Sequence, residues 1–134
     1  VLVAGIRLLF RGLREYFSRI RPGGRRVLIM GAGDAGEMLL RELRNNPRLN
    51  YLPVGFLDDD PDKVGREIAG VPILGPREVI VREVRRRRID EVLVAIPSAG
   101  PDLLDDILRF CRDAGVPFQR LSGILQPGSL VKNP

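Results

Sequence analysis

The stretch VLIMGAGDAGEMLLREL, residues 27–43, contains the features that decide the fold. Four consecutive apolar residues at 27–30 are typical of a parallel strand that is covered on both faces. Three glycines follow at once, and then a helical pattern whose inward face is predicted to consist of Ala35, Met38, Leu39 and Leu43. A strand, a glycine loop and a helix in direct succession predict the first unit of a parallel α/β domain.

The rest of the chain repeats this alternation. Apolar runs at 54–57, 71–74 and 92–96 predict three more strands, and residues 116–121 supply a last one. Pro76 and Pro101 each stand where a helix can begin. The second helix is predicted to end in four arginines, 85–88, whose positive charges interact favourably with the helix dipole at its C-terminus. The third is predicted to bury Cys111 and end at Gly115.

The connection between the second and third strands is unusually short. About a dozen residues separate them, which is too few for a crossover helix with its two loops, so a single helical turn is predicted near 61–64. The whole pattern predicts an α/β fold, a doubly wound parallel sheet of five strands that is Rossmann-like, in the order 3-2-1-4-5.

The basic charge is concentrated at the start of the chain. The protein has 134 residues and a formal net charge of +5, but residues 1–26 hold seven arginines and one acid, while the remainder is close to neutral. The overall charge is therefore a weak argument for nucleic-acid binding, and no nucleic-acid partner is predicted. With no histidine, hydrolases that use a histidine base and zinc sites with histidine ligands are excluded, and no metal site is predicted.

Residues 1–24 are predicted to form a basic amphipathic helix, because apolar residues recur at helical spacing beside a face of arginines. Arg7 interrupts the apolar run, so this segment is too short to span a bilayer. It is predicted either to pack on its own domain or a second copy, or to lie beside a membrane. Residues 25–121 are predicted to form the nucleotide-binding domain. Residues 122–134 contain a turn-like stretch, QPGS at 126–129, and the chain is expected to be part of a longer protein.

The loop GAGDAG, residues 31–36, is the strongest functional signal. Gly31 permits a tight turn, Gly33 lets the backbone approach a phosphate, and Gly36 allows the helix to pack closely on the strand. The amides at the helix start then favour an anion. An acid 22 positions after Gly36, Asp58, has the spacing of a ribose-binding carboxylate. The predicted cofactor-binding residues are Gly31, Ala32, Gly33, Asp34, Ala35, Gly36, Asp58, Asp59, Pro97 and Ser98.

The charge near this loop favours NAD over NADP. Asp59 and Asp60 follow Asp58 directly, so a phosphate on the ribose would be repelled. Asp34 lies inside the loop, where its carboxylate opposes a pyrophosphate unless it faces solvent or caps the helix. A glycine turn kept for packing, with no ligand, is the alternative interpretation.

Three segments together resemble a known family. They are RRVLIMGAGDAGEMLLREL at 25–43, GFLDDDPDKVGREIAGVPILG at 55–75 and IDEVLVAIPSA at 89–99. These segments resemble the N-terminal Rossmann-like, CoA-binding-like domain of membrane-bound nucleoside-diphosphate-sugar 4,6-dehydratases and epimerases of polysaccharide biosynthesis. The middle segment is also similar to part of bacterial sugar acyltransferases, and priming sugar-phosphate transferases contain a looser version of the domain.

The resemblance implies a nucleotide-binding or regulatory domain of a bacterial membrane protein, on the cytoplasmic face of the membrane. It also implies that residues 122–134 are a linker toward a catalytic domain absent from this chain. It implies NAD as the candidate cofactor, with a UDP-sugar or CoA as alternatives, and a homo-oligomeric parent associated with the membrane. The catalytic half of such enzymes pairs a tyrosine with a lysine four positions later. Here Tyr16 is followed at that spacing by Ile20 and Tyr51 by Gly55, so no dehydratase turnover is expected from this chain alone.

Two other functions are open at this point. A ligand-free Rossmann-like scaffold for oligomerisation is indicated by Asp34 and by apolar leader residues such as Phe10 and Phe17. A redox-sensing DNA-binding repressor shares the glycine loop, but the roughly 20 residues before the first strand are too few for a helix-turn-helix domain.

Overall fold

The computed structural model describes residues 24–121 and 130–132. Its strands are Arg25–Met30 (β1), Tyr51–Leu57 (β2), Glu67–Ile68 (β3), Val71–Gly75 (β4), Glu91–Val94 (β5), Phe118–Leu121 (β6) and Leu130–Lys132 (β7). Its α-helices are Asp34–Asn45 (α1), Ile80–Arg87 (α2) and Pro101–Ala114 (α3), and 3-10 helices span Pro47–Leu49 and Arg77–Val79. The predicted leader helix, and most of the predicted linker, lie outside the described residues.

The strands form one sheet in the order β3-β4-β2-β1-β5-β6-β7. The five central strands, β4 to β6 in that order, are parallel, while β3 and β7 pair antiparallel with β4 and β6 at the two margins. The five parallel strands are the five predicted ones, and their order confirms the predicted Rossmann-like α/β fold. The two marginal strands are additions that the sequence analysis did not predict.

Helices cover both faces of the sheet. On one face α1 contributes Leu39, Leu40 and Leu43 to a core that includes alternate residues of β1. On the other face α2 and α3 pack on the remaining alternate residues, through Ile80, Val84, Ile107 and Cys111. This alternation explains why residues 27–30 are apolar throughout, since successive strand residues face opposite layers.

The short connection between β2 and β4 contains no helix. Residues 61–65 form hydrogen-bonded turns, with the Lys63 N–H donating to the carbonyl oxygen of Asp60 at 3.1 Å, so the single turn predicted near 61–64 is present but does not extend into a helix. The chain then makes the β3–β4 hairpin, whose two-residue loop has positive φ at both Ala69 (48°) and Gly70 (86°). This loop geometry matches the twist of the two strands, and it returns the chain within the few residues available.

The helix ends agree with the sequence pattern. Pro101 is the first residue of α3, and Gly115 ends the helix with φ of 66° while its N–H bonds the carbonyl oxygens of Cys111 and Arg112. Arginines 85–87 occupy the last turn of α2, and a short 3-10 helix precedes this helix at Pro76. None of the helices among the described residues has the length and apolar content needed to cross a membrane.

Candidate nucleotide-binding site

Gly31 makes the sharp turn at the end of β1. Its φ is +112°, and its N–H donates to the carbonyl oxygen of Leu57 at 2.7 Å. A Cβ at this position would lie 2.6 Å from the carbonyl oxygen of Ala95. Both the dihedral angle and the close approach require glycine here, and the turn directs the chain into α1.

The first turn of α1 offers main-chain amides to the cleft. Gly33 is the N-cap residue, and no side chain of the described residues caps the helix. The first amides of a helix have no partners inside it, and the helix dipole adds partial positive charge at this end. A Cβ at Gly33 would meet nothing within 4 Å, so the approach to these amides is open. This corner is suited to an anionic group.

Two of the predicted site residues do not line the cleft. Gly36 is buried, and a Cβ there would overlap the carbonyl oxygen of Gly31 and lie 3.3 Å from the Phe56 ring. Its role is the predicted close packing of helix on strand. Ala32 is 7% exposed, and its N–H is already bonded to Asp58. Both residues thus lie outside the lining of the cleft, and their contact with a ligand stays a prediction.

Asp58 ties the two loops of the site together. Its Oδ2 accepts a hydrogen bond from the Ala32 N–H at 2.9 Å, and its Oδ1 accepts one from the Asp60 N–H at 2.9 Å. Lys63 Nζ lies 3.8 Å from Oδ2. The carboxylate thus fixes the glycine loop against the end of β2, and Asp58 also lines the cleft.

Asp59 is held from the opposite side by Arg77. The Arg77 N–H donates to Asp59 Oδ1 at 3.0 Å, and its guanidinium lies 3.6 Å from Oδ2. The same guanidinium lies 3.6 Å from a carboxylate oxygen of Asp106 on α3. Arg77 therefore connects the end of β2, the segment after β4 and the first half of α3.

A cleft of about 690 Å³ lies at the carboxyl ends of β1, β2, β5 and β6, and the glycine loop and the end of β2 form part of its wall. The strand order changes direction between β1 and β5, and open α/β sheets bind ligands at such a point. Eight of the ten predicted site residues line the cleft: Gly31, Gly33, Asp34, Ala35, Asp58, Asp59, Pro97 and Ser98. Asp34, Pro97 and Ser98 are exposed, and Asp34 makes no capping hydrogen bond.

The sequence analysis missed most of the apolar wall and one cation. Besides the predicted residues the cleft is lined by Met30, Met38, Lys63, Ala95, Ile96, Leu103 and Leu121. Met38, predicted to face the core, is 47% exposed. Its position four residues after Asp34 was the available signal, because residues so spaced share a helix face. Among the described residues, no three acidic or thiol side chains are grouped so that they could hold a metal ion.

A family described as "CoA-binding domain" matches this chain over residues 1–120. The chain belongs to the CoA-binding domain family. That description supports nucleotide-cofactor binding in general, at a site built from a Rossmann-like sheet.

Relatives of this CoA-binding domain include polysaccharide biosynthesis proteins. The chain is 35% identical over 114 residues to the probable polysaccharide biosynthesis protein EpsC of Bacillus subtilis, covering 85% of this chain and 19% of EpsC. It is 31% identical over 140 residues to the capsular polysaccharide biosynthesis protein CapD of Staphylococcus aureus, covering 98% of this chain and 23% of CapD. The chain thus spans about a fifth of the length of these relatives.

Solved structures share the fold of this CoA-binding domain. The structure of UDP-D-quinovosamine 4-dehydrogenase from Vibrio fischeri matches with a TM-score of 0.74 and 28% identity, covering 83% of this chain and 94% of that one. The repressor RSP in complex with NADH matches with a TM-score of 0.63 and 20% identity, covering 83% and 50%. The family resemblance expected from the sequence is confirmed by the family match, the two relatives and the first of these structures.

A polar cluster lies at the opposite edge of the sheet from the cleft. Glu91 and Gln119, which are 2% and 5% exposed, are hydrogen-bonded to each other, and Gln119 also donates to the Tyr51 hydroxyl at 3.0 Å. Arg25 lies 3.1 Å from Glu91 and stacks over the Tyr51 ring. These residues stand at the amino-terminal halves of their strands, so Tyr51 is remote from the cleft.

We expect alkaline pH to destabilise the domain through a buried thiol and a half-buried phenol. Burial raises the pKa of the Cys111 thiol from 9.0 to about 12. Burial, and next the nearby Glu91 carboxylate, raises the pKa of Tyr51 from 10.0 to about 12. The folded protein keeps these protons at a pH where the unfolded chain has begun to lose them. The stabilisation is complete below about pH 9 and is lost as the pH rises toward 12.

Urea titrations between pH 8 and pH 11 measure this effect. The free energy of unfolding should fall with pH in the parent chain, and it should fall less steeply in Cys111→Ala and in Tyr51→Phe. An equally steep fall in both variants would contradict the assignment of the loss to these two groups.

Proposed function

We propose that this chain is the nucleotide-binding or regulatory module of a membrane-associated nucleoside-diphosphate-sugar dehydratase or epimerase, and that its ligand is NAD. The homologous polysaccharide biosynthesis proteins support the general role in polysaccharide biosynthesis. The observation that carries the proposal is the uncapped start of α1 at Gly33, beside the Asp58 carboxylate and in one cleft with it.

The residues of the cleft fit the parts of NAD. The amides at the start of α1 would hold the diphosphate, whose negative charge the helix dipole favours. Asp58 and Asp59 would accept hydrogen bonds from ribose hydroxyls, since carboxylates only accept. Apolar side chains, among them Met38, Ile96 and Leu103, would cover the flat faces of the bases. NAD supplies a hydride acceptor when it is bound.

The same acids favour a ribose without a phosphate. Asp58, Asp59 and Asp60 are consecutive, and two of them line the cleft. The nearest cation, Lys63, is already paired with Asp58 at 3.8 Å, and Arg77 is paired with Asp59. The three consecutive carboxylates outnumber the two cations that pair with them, so a ribose phosphate, as in NADP or CoA, would meet net negative charge.

We expect no dehydratase turnover from this chain alone. Tyr51, the tyrosine within the described residues, lies in the polar cluster at the far edge of the sheet and has Gly55 four positions later. The chain's own residues in the cleft bind, orient and exclude water, and the described part of the chain places no tyrosine-lysine pair beside them to move a proton.

Isothermal titration of the chain with NAD, NADP, CoA and UDP-glucose tests the proposal. NAD should bind, and NADP and CoA should bind at least tenfold more weakly because of their ribose phosphates. Absence of binding by all four compounds would eliminate the binding proposal, and tighter binding of CoA or UDP-glucose would replace NAD as the ligand.

A pair of variants tests whether Asp59 causes the expected difference in affinity between NAD and NADP. Asp59→Asn removes one charge from the cleft wall and should narrow the difference between NAD and NADP. Asp62→Asn removes one charge from the same connection but from a residue that does not line the cleft, so it should leave that difference unchanged.

The second candidate is a ligand-free scaffold that serves oligomerisation, or the equivalent domain of a priming sugar-phosphate transferase. Asp34 favours the scaffold, because its exposed carboxylate lines the cleft beside the amides that an anion would use. Light scattering of the chain with and without residues 1–24 tests it. An oligomer that depends on those residues, together with no binding in the titrations, would support the scaffold.

A further inference from the structure

Charge is separated between the two edges of the sheet. The carboxyl edge, where the cleft lies, carries Asp34, Asp58, Asp59, Asp60, Asp62 and Asp102 against the cations Lys63, Arg66 and Arg77. The amino edge receives the ends of all three helices, because a helix that connects parallel strands runs antiparallel to them. Basic residues are concentrated in those helix ends, where they also complement the helix dipoles.

Hydrogen bonds join the ends of these helices, or the segments that follow them, to the starts of β1 and β5. The Arg25 N–H donates to the carbonyl oxygen of Asn50, just after the 3-10 helix that follows α1, at 2.7 Å. Arg26 Nε donates to the carbonyl oxygen of Arg87, the last residue of α2, at 2.8 Å. The Val92 N–H donates to the carbonyl oxygen of Pro117, just after α3, at 3.0 Å.

Six exposed arginines lie on this side, and we call them the arginine edge: Arg44, Arg48, Arg85, Arg86, Arg88 and Arg112. Most acids nearby are buried and committed to other cations: Glu83 to Arg82 and Arg87, and Glu91 to Arg25. Asp90 is buried and accepts the Arg26 N–H. The remaining acids on this side include the exposed Asp113 and Glu67 and the half-buried Glu42. The exposed charge of the arginine edge is thus strongly positive.

We propose that the arginine edge binds an anionic membrane surface, with the nucleotide cleft facing away from the lipid. This inference rests on the membrane association that is part of the proposed function. The edge adjoins Gly24, where residues 1–23 enter the domain, and that segment combines five arginines with apolar residues at helical spacing. A basic amphipathic sequence is typical of the interface of a bilayer, and this favours lipid over nucleic acid as the polyanion.

The separation of charge also sets the orientation. Arginines near an anionic leaflet are attracted to it, while the aspartates at the carboxyl edge are repelled. β1 has six residues, which places the two edges about 20 Å apart at 3.3 Å per residue. This distance exceeds the Debye length of about 8 Å at physiological ionic strength, so the cleft is screened from the lipid charge.

Flotation of the 134-residue chain with vesicles tests the proposal. Vesicles of phosphatidylcholine alone are compared with vesicles containing 30% phosphatidylglycerol, in 0.1 M salt and without nucleotide. The parent chain should bind the anionic vesicles preferentially. The triple variant Arg85→Gln, Arg86→Gln, Arg112→Gln should lower its partition coefficient at least tenfold, since each basic residue near the surface contributes.

A matched triple variant controls for total charge. Arg41→Gln, Arg66→Gln, Arg109→Gln removes the same charge from exposed arginines outside the arginine edge, and Arg41 and Arg109 are already paired with Glu37 and Asp106, so this variant should lower the partition coefficient much less than the first. Equal losses in the two triple variants, or no preference for anionic vesicles, would overturn the proposal. Circular dichroism and urea midpoints verify that both variants are folded.

Two further measurements are needed. One shows whether the arginine edge binds lipid or nucleic acid, and the other tests the arginine edge separately from NAD binding in the cleft. A 20-base-pair DNA duplex that binds through the same arginines, while vesicles do not bind, would overturn the proposal in favour of nucleic acid. NAD titration of the first triple variant should match the parent chain, because the cleft is at the other edge. If the parent chain binds vesicles but does not bind NAD, the proposal that NAD is the ligand is overturned, while the proposal for the arginine edge is supported.

Discussion

Replacing Gly33 with alanine should lower the affinity for NAD at least tenfold and leave the domain folded. Gly33 has φ of −94° and ψ of −159°, which any residue can adopt, and a Cβ there meets no protein atom within 4 Å. The new methyl group would instead point into the space through which a diphosphate reaches the amides of α1. Calorimetric titration with NAD measures the change.

The chain provides a matched control for this substitution. Gly100 is the N-cap of α3, with φ of −73° and ψ of 170°, and a Cβ there also meets nothing within 4 Å. Gly100→Ala should have the same effect on stability, under about 1 kcal/mol, and no effect on NAD affinity. Unchanged affinity in Gly33→Ala would show that the start of α1 does not hold the ligand.

Replacing Gly36 with alanine should destabilise the domain by about 3 kcal/mol, the upper part of the range for overpacking a buried site. The added methyl group would overlap the carbonyl oxygen of Gly31 and press on the Phe56 ring. Both neighbours are fixed, Gly31 by its hydrogen bond to Leu57 and Phe56 by complete burial, so neither can move aside readily.

Urea unfolding of Gly36→Ala beside Gly33→Ala and Gly100→Ala measures this loss. All three variants add one methyl group near a helix start, so differences among them report the space around each glycine. A Gly36→Ala variant as stable as the other two would contradict the close packing of α1 on β1.

The five parallel strands were predictable because each is marked by its own run of mainly apolar residues, and their order followed from the rules for doubly wound sheets. Both faces of the sheet are covered, so residues 27–30 and 92–94 are apolar throughout and stand out from the amphipathic helices between them. The two added strands carry no such mark. β3 has only two residues, Glu67 and Ile68, and pairing with β4 rather than composition makes it a strand.

The candidate site was predictable where backbone geometry demands a residue type. The turn at Gly31 and the contact at Gly36 require glycine, and the acid at the end of β2 follows from spacing. The bond from Asp58 to Ala32 and the approach of Lys63 depend on how the β2–β4 connection folds back. A sequence pattern does not contain that geometry. Met38 was misassigned because its helix position lies at the border between the core and the cleft.

The small hairpin at the outer margin has a consequence for self-association. On that side a neighbouring molecule would find only two residues of strand, one of them the charged Glu67, on which to add a strand of its own. The outward-facing groups of β4 are already paired with residues 65–68. Short, charged edge strands of this kind disfavour aggregation by strand addition, so open-ended polymerisation through this edge of the sheet is disfavoured.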